Sequence, residues 1–463
     1  MSSRPDKLFD VAIVGAGVVG CALSRRFARR GHSVVLIEKG ADILSGASKA
    51  NSAILHTGFD APEGSLELRC MQDGYAEYLA LREPLNLPLL ETGAMVVAWN
   101  EDEEARLPGL LTQARNNGVD DVRILSSAEI LAREPGLNPS ARAALLVPRE
   151  HVIDPWSPFL AYVLEARAHG AETRFRTEVT GGAFDGAHWR LETTTGPIDA
   201  GFVINAAGLF GDRVEAALLG HASFEIRPRK GQFVVFDKAA ATHLRTIVLP
   251  VPTETTKGVV VCRTAFGNVL VGPTAEEQQD RERANVTRPE LQALVRRAAE
   301  IVPALAEIPI TATYAGLRPA TERKNYRIHR VPDRNWITVG GIRSTGLTAA
   351  LGIARHVYGL YADTEDGELP ASSSIGPMPM LAEHGQRDWQ RPGYGEIVCH
   401  CEMVTRREIE AALATPLPPG DIGGLKRRTR CTMGRCQGFY CGGRLAELSA
   451  GRLADDLAVG AVK

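Results

Sequence analysis

The 463-residue sequence lacks the long apolar runs of membrane proteins. No stretch reaches the roughly 18 uninterrupted apolar residues that a membrane-spanning helix requires. The amino-terminal segment, MSSRPDKLFD, also lacks the apolar core of a signal peptide. Both absences predict a cytoplasmic protein without a transmembrane segment, and only a partner would bring such a protein to a membrane surface.

The sequence has no excess of charge of either sign, since 53 Lys and Arg residues face 55 Asp and Glu residues for a net charge of −2. This balance gives no electrostatic reason to expect a nucleic-acid partner. Glycine and proline occur at ordinary frequency, which excludes collagen-like and low-complexity classes. A hydrophobic content of 44% excludes global disorder, and the length predicts roughly two to four domains.

Cysteine is present but unevenly placed. Three of the eight cysteines, Cys21, Cys70 and Cys262, stand alone in the sequence. The others fall within the last 65 residues: Cys399, Cys401, Cys431, Cys436 and Cys441. In a reducing compartment, clustered thiols indicate metal or cluster ligands rather than disulfides.

Residues 9–38 form one βαβ unit. An apolar run enters a glycine turn, a helical pattern follows, and a second strand over 33–37 ends at Glu38. Beyond it we expect irregular structure over 40–75 and a strand-rich middle part over 145–275. The predicted helices lie near 76–84, 102–117, 127–133, 157–169 and 288–302. A buried strand is expected at 201–207, and 335–361 repeats the order of strand, glycine turn and helix.

The glycine turn has the G-x-G-x-x-G pattern of a dinucleotide site. Gly15 permits a tight turn, Gly17 lets the backbone approach a pyrophosphate, and Gly20 lets helix and strand pack closely. The start of the helix then offers unpaired N–H groups to the anion. Glu38 is placed to accept hydrogen bonds from the ribose hydroxyls, and its charge would repel the 2′-phosphate of NADP.

This pattern alone does not separate FAD from NAD. FAD is favoured because glycine turns return at 205–208 and at 340–341, as expected for one long cofactor that spans the domain. The helix that begins within 342–349 could direct its amino terminus at the flavin pyrimidine edge, where negative charge develops on reduction.

Six segments resemble the D-amino-acid-oxidase-type flavoprotein superfamily: VAIVGAGVVG, SKANSAILHTGFDAPEGSL, VINAAGLFGD, PRKGQFVVFD, AGLRPAT and GGIRSTGLTAALGIA. Within it they are most similar to the L-2-hydroxyglutarate dehydrogenases and to the anaerobic glycerol-3-phosphate dehydrogenase large subunit. The resemblance covers about residues 8–362. It implies an α/β fold, α+β overall, in which a mostly antiparallel substrate domain is inserted into a Rossmann-like FAD-binding domain.

The resemblance also implies boundaries. The oxidoreductase domain spans 1–368, with FAD-binding parts near 8–80, 145–215 and 335–362 and substrate-domain parts near 81–144 and 216–334. Prolines, three consecutive serines and scattered charges predict a linker at 369–395. A small cysteine-bearing module then occupies 396–463.

The matching positions imply the residues that hold FAD. Those near the adenosine half are Gly15, Gly17, Gly20, Glu38, Lys39 and the backbone of Val179. Those along the cofactor and near the pyrophosphate are Ser48, Asn51, Ser52, Ala207 and Gly208. Those at the flavin end are Gly341, Gly346, Leu347 and Thr348.

Two further residues are candidates for the catalytic pocket. His56 lies in the loop that resembles the flavin-proximal segment, and an imidazole is a suitable acceptor for a substrate hydroxyl proton. The alternative is that His56 packs on the isoalloxazine and only orients it. Arg318 is the best anchor for a phosphate or carboxylate, against the alternative of a surface salt bridge. Lys230 and Arg343 rank second as anchors.

The expected activity is therefore FAD-dependent oxidation of a small anionic hydroxy substrate. The segment IRSTGLT resembles the glycerol-3-phosphate dehydrogenase version more than the hydroxyglutarate version, and this resemblance implies sn-glycerol 3-phosphate as the substrate, which would give dihydroxyacetone phosphate. Alternatives are an L-2-hydroxyglutarate-like 2-hydroxy acid dehydrogenase and an opine or amino acid dehydrogenase. From another class, the chain could be the electron-transfer subunit of a larger complex.

The cysteine module contains a C-x-C pair and a C-x₄-C pair, with 34 residues between them. Thr405 and Glu408 form a capping box, which predicts a helix just after the first pair. Two close thiolate pairs suit either a [2Fe–2S] cluster or a four-thiolate zinc site, although structural zinc more often has C-x₂-C spacing.

This module resembles the bacterioferritin-associated-ferredoxin-like [2Fe–2S] domain. The resemblance implies that Cys399, Cys401, Cys436 and Cys441 bind the cluster, whereas the additional Cys431 leaves a second C-x₄-C choice for the third ligand. We expect electrons to leave the flavin one at a time through the cluster, towards an acceptor protein or a quinone-linked subunit. The oligomeric state is left open.

Overall fold

The computed structural model describes residues 7–252, 258–370, 373–454 and 457. Four predicted features therefore lie partly outside the described residues: the amino-terminal segment (1–6), the strand-rich middle part (253–257), the linker (371–372) and the end of the cysteine module. Within the described ranges, no helix combines the length and the apolar character that crossing a bilayer demands.

The helices are, in chain order, α1 (Val18–Arg29), α2 (Leu66–Arg82), α3 (Glu101–Glu104), α4 (Leu107–Asn116), α5 (Ser127–Arg133), α6 (Ser157–Ala168), α7 (Gly211–Leu219), α8 (Arg288–Ile301), α9 (Gly346–Ala362), α10 (Arg406–Ala414), α11 (Ile422–Thr429) and α12 (Gly442–Ser449). The strands are β1 (Leu8–Val14), β2 (Val34–Ile37), β3 (Ile54–Leu55), β4 (Leu89–Leu90), β5 (Ala94–Ala98), β6 (Arg123–Ser126), β7 (Ala143–Val147), β8 (His151–Ile153), β9 (Glu172–Arg174), β10 (Val179–Phe184), β11 (Trp189–Thr193), β12 (Ile198–Asn205), β13 (Ile226–Phe236), β14 (Ile247–Pro250), β15 (Val260–Arg263), β16 (Val269–Gly272), β17 (Glu276–Glu277), β18 (Ile310–Thr321), β19 (Arg327–Val331), β20 (Trp336–Gly340), β21 (Ile397–Cys399) and β22 (Val404–Thr405).

The first sheet contains the predicted βαβ unit at its centre. Its strands run in the order β10-β11-β12-β1-β2-β9, with β20 beside β12 and β19 beside β20. The pairs β9–β2, β2–β1, β1–β12 and β12–β20 are parallel. Val11 and Ile13 pack towards α1, α6 and α9, whereas Ala12 and Val14 pack on the other face with Trp189. A parallel sheet buried on both faces explains the continuous apolar run of β1.

The second sheet is mostly antiparallel, as predicted. Its order is β17-β13-β16-β15-β14-β5-β7-β6, with β18 beside β13, and only the described pair β14–β5 is parallel. Two predicted boundaries are shifted. β7 extends the second sheet to Val147, beyond the expected end at 144. β19, which the boundary at 334 assigned to the substrate domain, pairs with β20 in the first sheet instead.

Two helix predictions were wrong in detail. Irregular structure was expected up to residue 75, but α2 begins at Leu66, because the Ser65 hydroxyl accepts a hydrogen bond from the Leu68 N–H at 3.1 Å and caps the helix. The single helix expected over 102–117 is divided into α3 and α4, since Pro108 occupies the first turn of a new helix.

Helices α2 and α9 cross so closely that their backbones are in contact. A Cβ atom on Gly74 of α2 would lie 2.1 Å from the carbonyl oxygen of Thr348. A Cβ atom on Gly352 of α9 would lie 2.1 Å from the carbonyl oxygen of Cys70. Neither position therefore accommodates a side chain while the helices keep this distance.

The segment before the cysteine module is packed rather than free. Met378, Leu381 and Ala382 are buried against the cores of the oxidoreductase domain. The module itself contains β21, β22 and three helices around a small apolar core. It docks on the loop after β2, where the buried Asp42 carboxylate receives two hydrogen bonds from Arg428, at 2.5 and 2.9 Å.

Replacing Gly352 by alanine tests the close crossing of α2 and α9. We expect Gly352→Ala to lower the free energy of unfolding by about 1–3 kcal/mol, because the added methyl group has no room against the Cys70 carbonyl. The control is Gly109→Ala in α4, where nothing lies within 4 Å of the added Cβ atom. There, better helix propensity should raise stability by up to about 1 kcal/mol. Urea denaturation followed by circular dichroism measures both, and equal effects would contradict the packing argument.

Candidate functional site

The turn between β1 and α1 is built on contacts that exclude side chains. Gly15 has a φ of +102°, and its N–H donates to the Ile37 carbonyl oxygen at 2.7 Å. A Cβ atom on Gly20 would lie 1.8 Å from the Gly15 oxygen, and one on Gly15 would lie 2.6 Å from the Ala206 oxygen. The predicted roles of the first and third glycines therefore follow from the geometry.

The amino terminus of α1 is open to an anion. Gly17 is its N-cap residue, so the cap position supplies no side-chain acceptor for the first-turn N–H groups. The Ser48 hydroxyl lies over this end and accepts from the Val18 N–H at 3.0 Å. Backbone donors beside a hydroxyl suit a pyrophosphate. Ala207 and Gly208 begin the short turn that follows β12, next to Gly15.

The predicted adenosine end lies where β2 ends. The two carboxylate oxygens of Glu38 accept hydrogen bonds from the N–H groups of Ala16 and Gly40, both at 2.8 Å. Each oxygen keeps a second lone pair for a ribose hydroxyl. The Thr177 N–H donates to the Glu38 carbonyl oxygen at 3.0 Å, which brings the start of β10, and with it Val179, to this end.

Lys39, which follows Glu38, has an acidic and an aromatic neighbour. Its ammonium group pairs with the Glu282 carboxylate at 3.1 Å and lies 3.4 Å from the centre of the Phe210 ring. Its proposed role near the adenosine half of FAD stays a prediction.

A cavity of about 170 Å³ lies between the two sheets and gathers many of the predicted residues. Its lining includes Gly17, Ser48, Asn51, Ser52, Gly208, Gly341, Gly346, Leu347 and Arg318. Glycine is needed in this wall, since a Cβ atom on Gly316 would lie 2.5 Å from that of Ala50. A larger cavity of about 770 Å³ lies between α6, residues 375–380 and α10, and none of the predicted site residues lines it.

The flavin end is formed by the start of α9. Thr345 is the N-cap residue, but its hydroxyl is engaged with the Tyr326 hydroxyl at 2.6 Å and the Glu67 carboxylate at 2.8 Å. The first-turn N–H groups of α9 therefore have no side-chain cap. Thr348 lies in this turn, and its hydroxyl accepts from the His56 backbone N–H at 3.0 Å. Two helix termini whose own N-cap residues provide no side-chain acceptor, together with the glycine-lined wall, fit FAD.

His56 lies just after β3 and pairs with a carboxylate that the sequence analysis missed. Its Nδ1 atom is 2.7 Å from Oε2 of Glu150, while a quarter of the imidazole surface (26%) remains exposed. Glu150 gave no sequence signal, because it is separated from His56 by 94 positions. His56 does not line the cavity between the sheets. Its backbone N–H contacts Thr348, which follows the lining residue Leu347 in α9.

Arg318 of β18 differs from the other candidate cations. One of its terminal nitrogens donates to the carbonyl oxygens of Thr274 and Lys230, at 2.7 and 3.1 Å. Among the described residues it has no carboxylate partner, so the alternative of a surface salt bridge is not supported there. Burial lowers the pKa of this guanidinium to about 10, and the charges of Arg229 and Arg343 contribute.

The two second-rank anchors, Lys230 and Arg343, each lie close to a carboxylate. Lys230 pairs with the Glu276 carboxylate at 3.0 Å, and Arg343 lies 3.6 Å from the Glu67 carboxylate. A half-buried guanidinium that meets only carbonyl oxygens, as Arg318 does, is poorly compensated, and an anionic group in the cavity would supply the missing charge.

The four predicted cluster cysteines come together in two pairs. The thiol of Cys399 is a neighbour of the Cys441 thiol, and that of Cys401 is a neighbour of the Cys436 thiol. The N–H groups of Tyr440 and Gly438 lie near the Cys436 sulfur and hold the pKa of this thiol below its usual value, while the Phe439 N–H donates to the Cys436 carbonyl oxygen at 3.0 Å. Donors directed at sulfur favour the thiolate that a metal ligand requires.

Cys431 occupies a different position. It is fully buried, and burial raises the pKa of its thiol to about 12. In the described part of the chain, no group of three or more Cys, His, Asp or Glu side chains is placed to hold a single metal ion. Two separate thiol pairs fit the two irons of a [2Fe–2S] cluster better than one zinc ion.

Comparison with protein families gives two matches. The FAD dependent oxidoreductase family matches residues 10–360. The BFD-like [2Fe-2S] binding domain matches residues 397–450.

Individual relatives fall into two groups that differ in the share of this chain that they cover. A glycerol 3-phosphate dehydrogenase from Caloramator mitchellensis is 32% identical over 97% of this chain and 95% of its own length. One subunit of the anaerobic glycerol-3-phosphate dehydrogenase of Escherichia coli K12 is 26% identical over 97% of this chain and 89% of its own. A glycerol 3-phosphate oxidase from Mycoplasma pneumoniae is 33% identical but covers only 76% of this chain, with 94% of its own length matched.

Solved structures agree with the fold. The L-alpha-glycerophosphate oxidase of M. pneumoniae with FAD bound superposes with a TM-score of 0.73 at 29% identity. That similarity covers 81% of this chain and all of the other. Glycine oxidase from Geobacillus kaustophilus gives a TM-score of 0.69 at 28% identity over 79% of this chain and 98% of its own.

A cysteine series tests the cluster ligands. We expect Cys436→Ser to lose iron and the visible absorption of the cluster while FAD content stays near normal, because one ligand is gone and the FAD site is elsewhere. Cys431→Ser is the matched control and should retain iron, since its thiol belongs to neither pair. Iron analysis and absorption spectra of the purified proteins report both. Iron retained in Cys436→Ser but lost in Cys431→Ser would reverse the assignment.

Proposed function

Since the chain belongs to the FAD dependent oxidoreductase family and carries a BFD-like [2Fe-2S] binding domain, we propose that it oxidises sn-glycerol 3-phosphate to dihydroxyacetone phosphate. Membership confirms the predicted fold, the class of enzyme and the two cofactors. The observation that carries the choice of substrate is Arg318, a half-buried cation without a carboxylate partner among the described residues, in the wall of a cavity that predicted FAD residues line.

Arg318 binds the phosphate of the substrate. A guanidinium presents a planar set of donors to two phosphate oxygens at once. One of its terminal nitrogens is already held by the Thr274 and Lys230 carbonyl oxygens, so the group is oriented before the substrate arrives. The dianion restores charge balance in a part of the site where Lys230 and Arg343 are already paired.

His56 accepts the hydroxyl proton. Oxidation of the secondary alcohol removes a hydride from carbon and a proton from oxygen, and bound FAD supplies the hydride acceptor. The Glu150 carboxylate engages Nδ1 of His56, which leaves Nε2 as the atom that takes the proton. The uncapped first turn of α9 directs its N–H groups towards the flavin end and favours negative charge there.

We propose a dehydrogenase rather than an oxidase. The relatives named dehydrogenase match 97% of this chain, whereas the relative named oxidase matches 76%. A cluster domain has a purpose when electrons leave one at a time for another protein, but a direct reaction with oxygen does not require it.

In this proposal, the physiological electron acceptor is a second protein chain. The E. coli relative is named as one subunit of its enzyme, which implies companions for that protein. By analogy, a companion chain would take electrons from the cluster of this chain and could hold it at a membrane surface, where quinones are available.

Anaerobic bleaching of the flavin tests the substrate and its anchor together. The protein loaded with FAD and cluster should be bleached rapidly by sn-glycerol 3-phosphate, and not by L- or D-2-hydroxyglutarate, lactate, proline or an opine. Arg318→Ala should raise the dissociation constant for glycerol 3-phosphate by about 30-fold or more, because one partner of a buried charged contact is removed.

The matched control is Arg227→Ala. Arg227 lies on β13, the strand paired with β18, but it is exposed and bonded to Glu225 at the surface. Its loss should leave bleaching unchanged. Rapid bleaching by another compound would replace the proposed substrate, and bleaching by none would favour a partner-dependent subunit.

A further inference from the structure

Strand pairing brings Glu150 to His56. In the small antiparallel sheet, Ile54 of β3 pairs with Val152 of β8, and Leu55 pairs with His151. The next opposite positions along this register are His56 and Glu150. The juxtaposition is therefore a property of the backbone, and both residues lie where β3 and β8 pass between the two large sheets.

The carboxylate of Glu150 is fully engaged and fully buried. Its Oε1 atom accepts from the Thr57 N–H at 2.5 Å and from the Thr57 hydroxyl at 2.8 Å. Its Oε2 atom faces Nδ1 of His56 at 2.7 Å. The side chain has 0% exposure, and in the described part of the chain His56 is its only ionisable salt-bridge partner. A buried carboxylate without a fixed cation stabilises positive charge on the one imidazole that it touches.

Other groups around Glu150 do not replace His56. Among the described residues, Tyr75 of α2 and His151 of β8 interact electrostatically with Glu150. Glu91 after β4 and Arg149, which is paired with Asp121, lie around these two side chains in turn. Burial raises the pKa of Tyr75 to about 12 and lowers the pKa of His151, so both are neutral near pH 7. Arg149 is neutralised by Asp121 at 3.0 Å, and the Tyr75 hydroxyl donates to the Arg149 carbonyl oxygen instead of to Glu150.

We propose that Glu150 is the positioning residue of the active site, which holds the proton of neutral His56 on Nδ1 and stabilises the imidazolium formed when Nε2 takes the substrate proton. This inference rests on the proposed role of His56. The Thr57 donors occupy Oε1 and so reserve Oε2 for His56, while the His56 backbone N–H is held by the Thr348 hydroxyl at the flavin end. The imidazole is thereby fixed in both position and tautomer.

The variant Glu150→Gln separates this role from simple packing. The amide has nearly the shape of the carboxylate but only one acceptor oxygen. The fixed Thr57 N–H takes that oxygen, so the NH₂ group faces Nδ1 and forces the neutral proton onto Nε2. That tautomer cannot accept the substrate proton. We expect flavin reduction by glycerol 3-phosphate to slow by about 100- to 10,000-fold, with the dissociation constant for the substrate unchanged because Arg318 is intact.

Two controls identify a structural effect. Glu134→Gln alters another buried carboxylate, which accepts from the Arg245 backbone N–H at the end of α5, beside a different part of the core from the residues next to His56, and should leave the rate of flavin reduction unchanged. In a His56→Ala background, Glu150→Gln should cause no further loss, since the two residues act as one unit. If Glu150→Gln slows flavin reduction by the same factor in the His56→Ala background as in the unaltered protein, the proposal is overturned.

The tautomer of His56 can be determined by ¹⁵N NMR without any substrate. In protein labelled with ¹⁵N-histidine, with His56→Gln used for assignment, the neutral imidazole of His56 should carry its proton on Nδ1. In Glu150→Gln the proton should move to Nε2. A proton on Nε2 in the unaltered protein overturns the proposal. If glycerol 3-phosphate fails to bleach the flavin while the proton is on Nδ1, the choice of substrate fails and the role of Glu150 stands.

Discussion

The backbone contact between the first glycine turn and the loop after β12 is the constraint on which the site depends. Gly15 meets the Ala206 carbonyl, and Gly20 meets the Gly15 carbonyl, at distances that no side chain allows. Three parallel strands, β1, β2 and β12, therefore end at one level. At that level, Glu38 at the end of β2 lies beside the amino terminus of α1. The two cannot separate unless the backbone contacts of Gly15 and Gly20 are lost.

The docking of the cysteine module depends on buried charges. Asp42, which follows β2, binds Arg428 of the module. Within the module, Glu402 binds Arg430 at 2.6 Å and so fixes a guanidinium that contacts the oxidoreductase domain. The Arg430 guanidinium also lies 3.8 Å from the Phe266 ring, which stacks on Trp156. Buried ion pairs of this kind contribute little net stability after desolvation, but they tolerate few alternative arrangements. Their effect is to orient the module, so that the cysteine loops rest beside the second sheet instead of moving on a free linker.

In the predicted active site, some residues can be identified from local sequence patterns and others cannot. Glycine patterns, the acid at the end of β2 and the paired cysteines are local signals, because each chemistry needs particular residues at short spacing. Arg318 was identified from a short segment, but its decisive property is the lack of a carboxylate partner among the described residues. Lys230 and Arg343 ranked second as anchors in the sequence, and the structure adds the reason that Glu276 and Glu67 lie against them. Glu150 was missed, since nothing local marks a carboxylate that strand register carries to His56.

Local patterns along the chain were thus enough to define the class of protein: two cofactor modules, the dinucleotide turn, the thiol-rich loops and the mostly antiparallel second domain. These follow from requirements that act over a few residues, such as hydrophobic period, glycine conformation and ligand spacing. The folded chain was needed to show which candidate cation lacks a carboxylate partner among the described residues, which carboxylate pairs with His56, and that Met378, Leu381 and Ala382 of the proline-containing segment are buried. Such properties depend on pairing between residues far apart in the chain, and the free energy of a buried charge is set by the neighbours that folding brings to it.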